Sequence, residues 1–297
     1  MNCQAAAGLM FLAWAAIVTF GCKTSMVRDD VGNQSSVKVV GGEQAEMGQF
    51  PSALFIPGCS ATKISPSKIL TAAHCVVGKD GKVLHRYQKG QRFEVYHGVK
   101  LVDARRFVVE VDSTQVNPQY LQKLTLEEND LEKFADVAVI HTKDSLPDDI
   151  PSAELYFEAL NRTEEIIFTG YGCEDLPPQL DVLNDDFGSI VTSSDDTLKQ
   201  HRLKFKAVEV AYHDHAMIIV RNRIVNSVLD ENADEKKFSG CMGDSGSAAY
   251  FRHGETLKVV GVNSFVNPLE SAITRIDKEA PNEVAAWLCG ACQLEGK

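Results

Sequence analysis

Three short segments carry the residue types that a nucleophilic hydrolysis reaction needs. Ser245 lies in Gly243-Asp244-Ser245-Gly246, where the glycines let the backbone turn tightly and aim N–H groups at a developing oxyanion. His74 follows an apolar run, and Asp136 opens another one, so that its carboxylate should be buried and need a partner. An imidazolium suits that role, because the acid fixes the histidine tautomer and the histidine then takes the serine proton. Together the segments predict acyl transfer by a serine nucleophile.

Each segment taken alone has a structural interpretation. A lone histidine such as His74, beside Cys75, is usually a satisfied structural residue, and a Gly-Asp-Ser-Gly turn is only suggestive. Asp130, in Asn129-Asp130-Leu131, competes with Asp136 for the role of the acid. We favour Asp136 because the apolar run after it can supply a buried strand.

Composition excludes several classes of protein. The 297 residues hold 30 Lys plus Arg against 41 Asp plus Glu, a net charge of −11, which argues against a nucleic-acid partner. Hydrophobic residues make up 44% and charged residues 24%, with 21 Gly and 10 Pro, so collagenous and disordered chains fit poorly. We expect a globular chain of one large or two ordinary domains.

The N-terminal segment predicts export. Residues 5–20 form an almost unbroken apolar run, shorter than the ~20 residues that a membrane helix needs, so we interpret 1–22 as a signal peptide. Its first four residues lack the usual Lys or Arg. Gly21-Cys22 resembles a bacterial lipobox, and two outcomes stay open: plain secretion, or a lipid anchor on Cys22. The polar residues 23–38 are interpreted as a linker or pro-segment.

From Val39 onward the chain has an all-β pattern. Short β-branched and aromatic runs alternate with turn residues, and a connector rich in Pro and Asp occupies 146–151. One helix is predicted, at Pro281–Leu288, with Pro in its first turn. The predicted strands are Phe93–Val99, Arg106–Val111, Asp136–His141, Glu165–Gly170, Leu203–Ala211, Met217–Val220, Ala248–Phe251, Leu257–Phe265 and Ala272–Ile276.

The order His74, Asp136, Ser245, within these motifs, resembles the trypsin/chymotrypsin family of serine proteases, and the lipobox-like Gly21-Cys22 favours a bacterial member. Further matching segments are Val39-Val-Gly-Gly42, Asn117-Pro-Gln-Tyr120 and Gly170-Tyr-Gly172. The resemblance covers about residues 39–288. It implies two antiparallel six-stranded β-barrels with a C-terminal helix, all within a protease domain at 39–297. The first barrel would span about 39–150 and the second about 151–297.

The resemblance also implies roles for individual residues. Ser245 would be the nucleophile, His74 the general base and then acid, and Asp136 the group that orients the imidazolium. The N–H groups of Gly243 and Ser245 would form the oxyanion hole, and Ser264 would hydrogen-bond the acid and begin the strand that pairs with substrate.

A zymogen switch is implied by the same match. Cleavage after Lys38 would free the Val39 ammonium to pair with Asp244 in the interior and order the oxyanion loop. The implied partners are protein or peptide substrates and an activating protease.

Departures from the family pattern bear on specificity. Ser239 stands at the pocket floor, where trypsin-like members carry Asp, so a Lys or Arg side chain would find no counter-charge. Val266 stands where large-pocket members have Gly, Phe265 replaces the usual Trp, and Ser271 aligns with a pocket wall. The resemblance therefore implies non-tryptic cleavage after small or medium aliphatic P1 residues.

Six cysteines follow the signal segment, and in an exported chain they predict disulfides. The resemblance implies a Cys59–Cys75 bridge that holds the histidine loop. Cys241 lacks its usual partner, and we assign it to Cys173. Cys289 and Cys292 would close on each other; the alternative, a redox or metal site, lacks a βαβ context.

Two further functions remain as alternatives. One is a protease-like binding module without activity, which the intact His74, Asp136 and Ser245 disfavour. The other is a metal- or thiol-based protein using His213, His215 and the final Cys289-Gly-Ala-Cys292, although no third ligand is identifiable for a zinc ion on the two histidines. We therefore predict no metal and no cofactor.

Overall fold

The computed structural model describes residues 42–125, 135–160, 164–172, 202–210, 212–214, 216–221, 240–241, 243–266 and 270–293. For 125, 209, 212–214, 221, 266 and 291–293 it describes the backbone alone. The predicted signal peptide and pro-segment, with Lys38, Val39 and Asp130, lie outside these ranges. No helix in the described ranges combines the length and apolar character that crossing a bilayer requires.

The first half of the chain closes into a six-stranded antiparallel barrel. The strands are β2 (Ala53–Ile56), β3 (Cys59–Ser65), β4 (Lys68–Thr71), β5 (Arg92–His97), β6 (Arg105–Val116) and β7 (Ala138–Thr142). Their order around the barrel is β2-β3-β4-β7-β6-β5. Buried positions alternate with more exposed ones in part of β6, where one face of the strand meets solvent, whereas every position of the short strands β2 and β4 is buried.

The second half forms a nine-stranded sheet that closes only in part over the described residues. The strands are β1 (Glu43–Gln44), β8 (Glu154–Leu155), β9 (Glu165–Gly170), β10 (Lys204–Glu209), β11 (Tyr212–Asp214), β12 (Met217–Arg221), β13 (Ala248–His253), β14 (Thr256–Val266) and β15 (Glu270–Arg275). Their hydrogen-bonded order is β1-β10-β9-β13-β14-β15-β12-β11, with β8 parallel to β14. The all-β prediction with two barrel-like halves is confirmed.

The described ranges contain two α-helices. The C-terminal helix α2 runs Val284–Gln293, where the sequence predicted Pro281–Leu288; Pro281 and Asn282 form a turn instead, and the side chain of Asn282 accepts the N–H of Val284. Helix α1 (Pro118–Thr125) was not predicted, because its single apolar stripe spans only two turns. Asn117 caps it by accepting the N–H of Gln119 at 2.9 Å.

Both halves of the chain contribute residues to the candidate site. His74 follows β4 and Asp136 precedes β7, both in the first barrel, whereas Ser245 precedes β13 and Ser264 lies in β14 of the second sheet. A continuous buried core that includes Leu54 of the first barrel and Val259 of the second sheet joins the halves, and it supports the loops that carry these side chains.

Candidate active site

His74 lies in a one-turn 3₁₀ helix, Ala73–Cys75, that follows β4. Thr71, Ala72 and Ala73 are fully buried, and the Cys59–Cys75 disulfide ties the residue after His74 to the start of β3. The histidine side chain keeps 27% of its surface exposed, so it is anchored at its base and accessible at its tip. The predicted Cys59–Cys75 bridge is present.

Asp136 is buried beneath His74 and accepts three hydrogen bonds. Its Oδ2 accepts from Nδ1 of His74 at 2.7 Å and from the hydroxyl of Ser264 at 2.5 Å, and its Oδ1 accepts from the backbone N–H of His74 at 2.9 Å. The carboxylate therefore fixes the imidazole with its proton on Nδ1 and leaves Nε2 as the acceptor. The structure thus joins three of the predicted site residues.

The pKa values of this pair move apart. Burial by itself lowers the pKa of His74, but the charge of Asp136 and its hydrogen bond outweigh burial and raise that pKa above its ordinary value of 6.5. Burial by itself raises the pKa of Asp136. The charge of His74, its hydrogen bonds and the hydrogen bond from Ser264 outweigh burial and lower that pKa below its ordinary value. Asp136 is ionised at neutral pH, ready to stabilise an imidazolium.

Ser245 lies beside this pair in a tight turn. Gly246 adopts a φ of +84°, and a Cβ there would overlap the Thr71 hydroxyl and the Ser60 carbonyl, so only glycine fits. The Ser245 hydroxyl donates to the carbonyl oxygen of Ser264 at 3.3 Å. In the described part of the chain, the Ser245 hydroxyl makes no hydrogen bond with His74. The Cys75 sulfur lies 3.8 Å from both Nε2 of His74 and the Ser245 carbonyl oxygen, so the groups are neighbours.

Two backbone N–H groups of the same turn are available as donors. Within the described part of the chain, neither Gly243 nor Ser245 donates its N–H to a protein acceptor, whereas the N–H groups of Asp244 and Gly246 do. Gly243 has a φ of +96°. These two N–H groups, one of them on the serine itself, can receive an oxyanion.

Ser60 holds this turn against the first barrel. Its hydroxyl donates to the carbonyl oxygen of Gly243 at 2.6 Å and accepts the N–H of Tyr171 at 3.0 Å, and its own N–H donates to the carbonyl oxygen of Ser245 at 2.9 Å. Sequence reasoning missed Ser60, since its partners lie far away along the chain.

Asp244 is buried behind the turn. Its carboxylate accepts the N–H of Gly172 at 2.7 Å and that of Cys241 at 2.8 Å. A Cβ at Gly170 or Gly172 would overlap this carboxylate, which explains both glycines. Burial raises the pKa of Asp244 to about 6, against the lowering effect of the two N–H donors and of the charge of Lys204. Lys204 is itself buried and approaches the carbonyl oxygen of Gly172 at 3.5 Å.

The small cavity beside Ser245 has a volume of about 20 Å³. Phe265, which is 41% exposed, and Ser264 line this cavity, and their contact with substrate stays a prediction. The buried hydroxyl of Ser271 instead accepts the N–H of Gly240, and its neighbour Ala272 faces the cavity. Ser239 and the Val266 side chain are outside the described groups. The described lining consists of Phe168, Gly240, Cys241, Asp244, Ser245, Asn263, Ser264, Phe265 and Ala272.

The remaining cysteines depart from the expected pairing. Cys289 is a free thiol, so the predicted Cys289–Cys292 bridge is wrong: Cys289 lies within helix α2, where the chain forms regular helix around it. Cys241 is disulfide-bonded, and its partner is none of the other described cysteine side chains. Cys173 is outside the described residues, and its pairing with Cys241 stays a prediction.

Metal binding finds no support in the described residues. Cys59, His74 and Cys75 bring three donor atoms within 4.8 Å of one another, but both sulfurs are used in the disulfide and offer no thiolate. His213 lies on β11 with only its backbone described, and His215 is outside the described residues.

A two-barrel fold with a buried Asp–His pair beside a serine in a glycine-flanked turn defines the class of serine hydrolases with the chymotrypsin-like fold. The family model described as Trypsin matches residues 39–278. The chain belongs to the trypsin family, and the resemblance drawn from its motifs is confirmed.

Proposed function

We propose that the protein is an exported serine endopeptidase that hydrolyses peptide bonds through an acyl-enzyme on Ser245. The observation that carries this proposal is the Asp136–His74 hydrogen bond of 2.7 Å, with Ser264 hydrogen-bonded both to Asp136 and to the Ser245 hydroxyl. Family membership supports a protease-like function of this kind.

The reaction begins with a change of hydrogen-bond partner. The Ser245 hydroxyl leaves the Ser264 carbonyl oxygen, to which it donates at 3.3 Å, and donates to Nε2 of His74 instead. Nε2 then takes the proton as Oγ bonds to the scissile carbonyl carbon, and the N–H groups of Gly243 and Ser245 receive the oxyanion. His74 passes the proton to the leaving amine as the C–N bond breaks. His74 then takes a proton from water as the water oxygen bonds to the acyl carbon, and it returns that proton to Ser245 as the C–Oγ bond breaks.

Activation follows from the position of Asp244. Cleavage after Lys38 frees the Val39 ammonium, which pairs with the buried carboxylate and keeps it ionised; an activating protease is the implied partner. The raised pKa of Asp244, about 6 in the uncleaved chain, supports this pairing. Burial disfavours the ionised carboxylate, and a nearby ammonium would stabilise it.

Substrate preference is proposed from the charge of the cavity lining. The described lining residues beside Ser245 offer no cation partner other than Asp244, whose carboxylate accepts two backbone N–H groups, and this supports non-tryptic cleavage after small or medium aliphatic P1 side chains. Localisation is part of the proposal: the chain is secreted, or held at a membrane surface by a lipid on Cys22.

The rival function is a protease-like binding module without activity. The observation that favours it is the Ser245 hydroxyl, which donates to the Ser264 carbonyl instead of to His74.

Covalent labelling with a fluorophosphonate probe separates the two functions. Three proteins are compared: chain processed to begin at Val39, chain blocked from processing by Lys38→Gln, and processed Ser245→Ala. We expect strong labelling of the processed chain alone. No labelling of folded, processed chain would favour the binding module, and equal labelling of processed and blocked chains would remove the Val39 switch.

A further inference from the structure

A buried cation lies behind the turn that carries Ser245. Lys204 is the first residue of β10, where its backbone pairs with Gly170 of β9 on one side and with Gln44 of β1 on the other. Its side chain is 0% exposed. An ammonium held away from water costs free energy unless opposite charge or hydrogen-bond acceptors surround it. Since an apolar side chain of similar volume would fill this place at lower cost, the charge itself indicates a role beyond packing.

One residue, Gly172, connects the Lys204 ammonium to Asp244. The ammonium donates to the carbonyl oxygen of Gly172 at 3.5 Å, and the N–H of the same glycine donates to Oδ1 of Asp244 at 2.7 Å. The charge of Lys204 also acts on the carboxyl group itself, because it lowers the pKa of Asp244 against the effect of burial. Lys204 therefore both holds the backbone that donates to Asp244 and favours the ionised carboxylate.

Asp244 in turn holds the backbone that leads into Ser245. Its carboxylate accepts the N–H of Cys241 at 2.8 Å, and its own N–H donates to the carbonyl oxygen of Cys241 at 3.0 Å. Gly243 lies inside this closed loop with a φ of +96°. The polypeptide is one uncleaved chain, and within its described part the N–H groups of Gly243 and Ser245 engage no protein acceptor. The two donors proposed for the oxyanion are therefore available before cleavage.

We propose that Lys204 is a positioning residue that holds the Ser245 turn in its reactive arrangement before cleavage, through the carboxylate of Asp244. The uncleaved chain is then a slow protease rather than an inert precursor. This inference rests on the proposed function and adds a regulation of the same site.

The support that Lys204 gives is partial. Burial still outweighs the lysine charge and the two N–H donors, so that the pKa of Asp244 stays at about 6. A second cation, the Val39 ammonium, would complete the stabilisation of the carboxylate. Cleavage after Lys38 then raises an activity that already exists.

Rates of fluorophosphonate labelling at pH 6.5 test the role of Lys204. Lys38→Gln chain is compared with Lys38→Gln, Lys204→Met chain, and Lys38→Gln, Ser245→Ala chain gives the background. We expect Lys38→Gln chain to label more slowly than processed chain but above background. Lys204→Met should lower its rate by about 3- to 20-fold, because the carboxylate, near its pKa of about 6, loses the charge that keeps it ionised. Lys206→Met removes a half-buried lysine of the same strand and should leave the rate unchanged.

Processing distinguishes positioning from packing. In chain that begins at Val39, the new ammonium replaces the charge that Lys204→Met removes, so processed Lys204→Met should label at nearly the rate of processed wild type. A lysine needed only for packing would slow the processed and the uncleaved forms alike.

The outcomes separate this inference from the proposed function. If processed wild-type chain does not label, the proposed protease fails. If processed chain labels while Lys38→Gln chain stays at background, the role of Lys204 is refuted and the protease remains. Equal slowing of both forms by Lys204→Met, or slowing of neither, refutes it as well. Lys204→Gln repeats the comparison with a second neutral side chain if Lys204→Met does not fold.

Discussion

The hydroxyl of Ser60 donates a 2.6 Å hydrogen bond to the carbonyl oxygen of Gly243, across 183 residues of sequence. It joins β3 of the first barrel to the turn whose N–H groups are proposed to bind the oxyanion. The same hydroxyl accepts the N–H of Tyr171, so one fully buried atom fixes two backbone segments of the second half.

Ser60→Ala should lower kcat more than it changes KM. The substitution leaves the Gly243 carbonyl and the Tyr171 N–H without their partner, and the turn loses its fixed orientation. The loss should stay below the ~10²- to 10³-fold of removing an oxyanion donor outright, and stability should drop by about 1–3 kcal/mol. Steady-state kinetics and urea unfolding measure both.

Ser113→Ala, on β6 of the same barrel, is the matched control and should change neither quantity. A Ser60→Ala enzyme with reduced stability but wild-type kcat would restrict Ser60 to a structural role.

Asp136→Asn should lower kcat by about 10⁴-fold. An amide at this position can present its NH₂ to Nδ1 of His74, which then carries its proton on Nε2 and cannot accept one from Ser245. Ser264→Ala removes a single hydrogen bond to Oδ2 and should cost far less. Single-turnover acylation with an ester substrate measures the step directly.

Asp149→Asn is the control for charge alone, since Asp149 is an exposed acid paired with Arg105. Near-normal acylation by Asp136→Asn would instead reinstate Asp130 as the catalytic acid.

The pH dependence of kcat/KM should have an acid limb above pH 6.5. His74 must be neutral to accept a proton, and Asp136 raises its pKa above the ordinary value. Activity is therefore lost as the pH falls through this raised pKa. In Asp136→Asn the limb should move to lower pH, because the charge that stabilises the imidazolium is gone. An unchanged limb would show that another group controls it.

Local pattern was enough to predict much of the fold. Strand β9 occupies the predicted Glu165–Gly170 because β-branched and aromatic residues fill it between turn signals. Strands β2 and β3 were missed, since Ala53–Ile56 is short and fully buried and β3 mixes Ser, Thr and Lys on buried positions. A short buried run lacks the alternation that identifies a strand.

The residues that support the site could not be predicted in the same way. His74, Asp136 and Ser245 carry recognisable types within distinctive local motifs. Ser60 and Lys204 owe their roles to partners in distant segments, and nothing in their own neighbourhoods distinguishes them. The free Cys289 shows the same limit, because spacing of cysteines does not determine their pairing.

Asp244 should make the stability of the uncleaved chain fall as the pH rises. Its folded pKa of about 6 lies above the ordinary 3.8, so the folded chain binds this proton more tightly than the unfolded chain. The contribution is fully present below about pH 4 and is lost as the pH rises through 6, by about 3 kcal/mol in total. Urea unfolding of Lys38→Gln, Ser245→Ala chain from pH 4 to 7.5 measures it.

Three comparisons isolate this contribution. Asp244→Asn should remove it, and Lys204→Met should enlarge it, because the buried lysine charge lowers the Asp244 pKa. Chain processed to begin at Val39 should lose it, since the new ammonium keeps the carboxylate ionised. An identical slope in processed and uncleaved chains would mean that Val39 does not reach Asp244, and that Lys204 alone serves as its counter-charge.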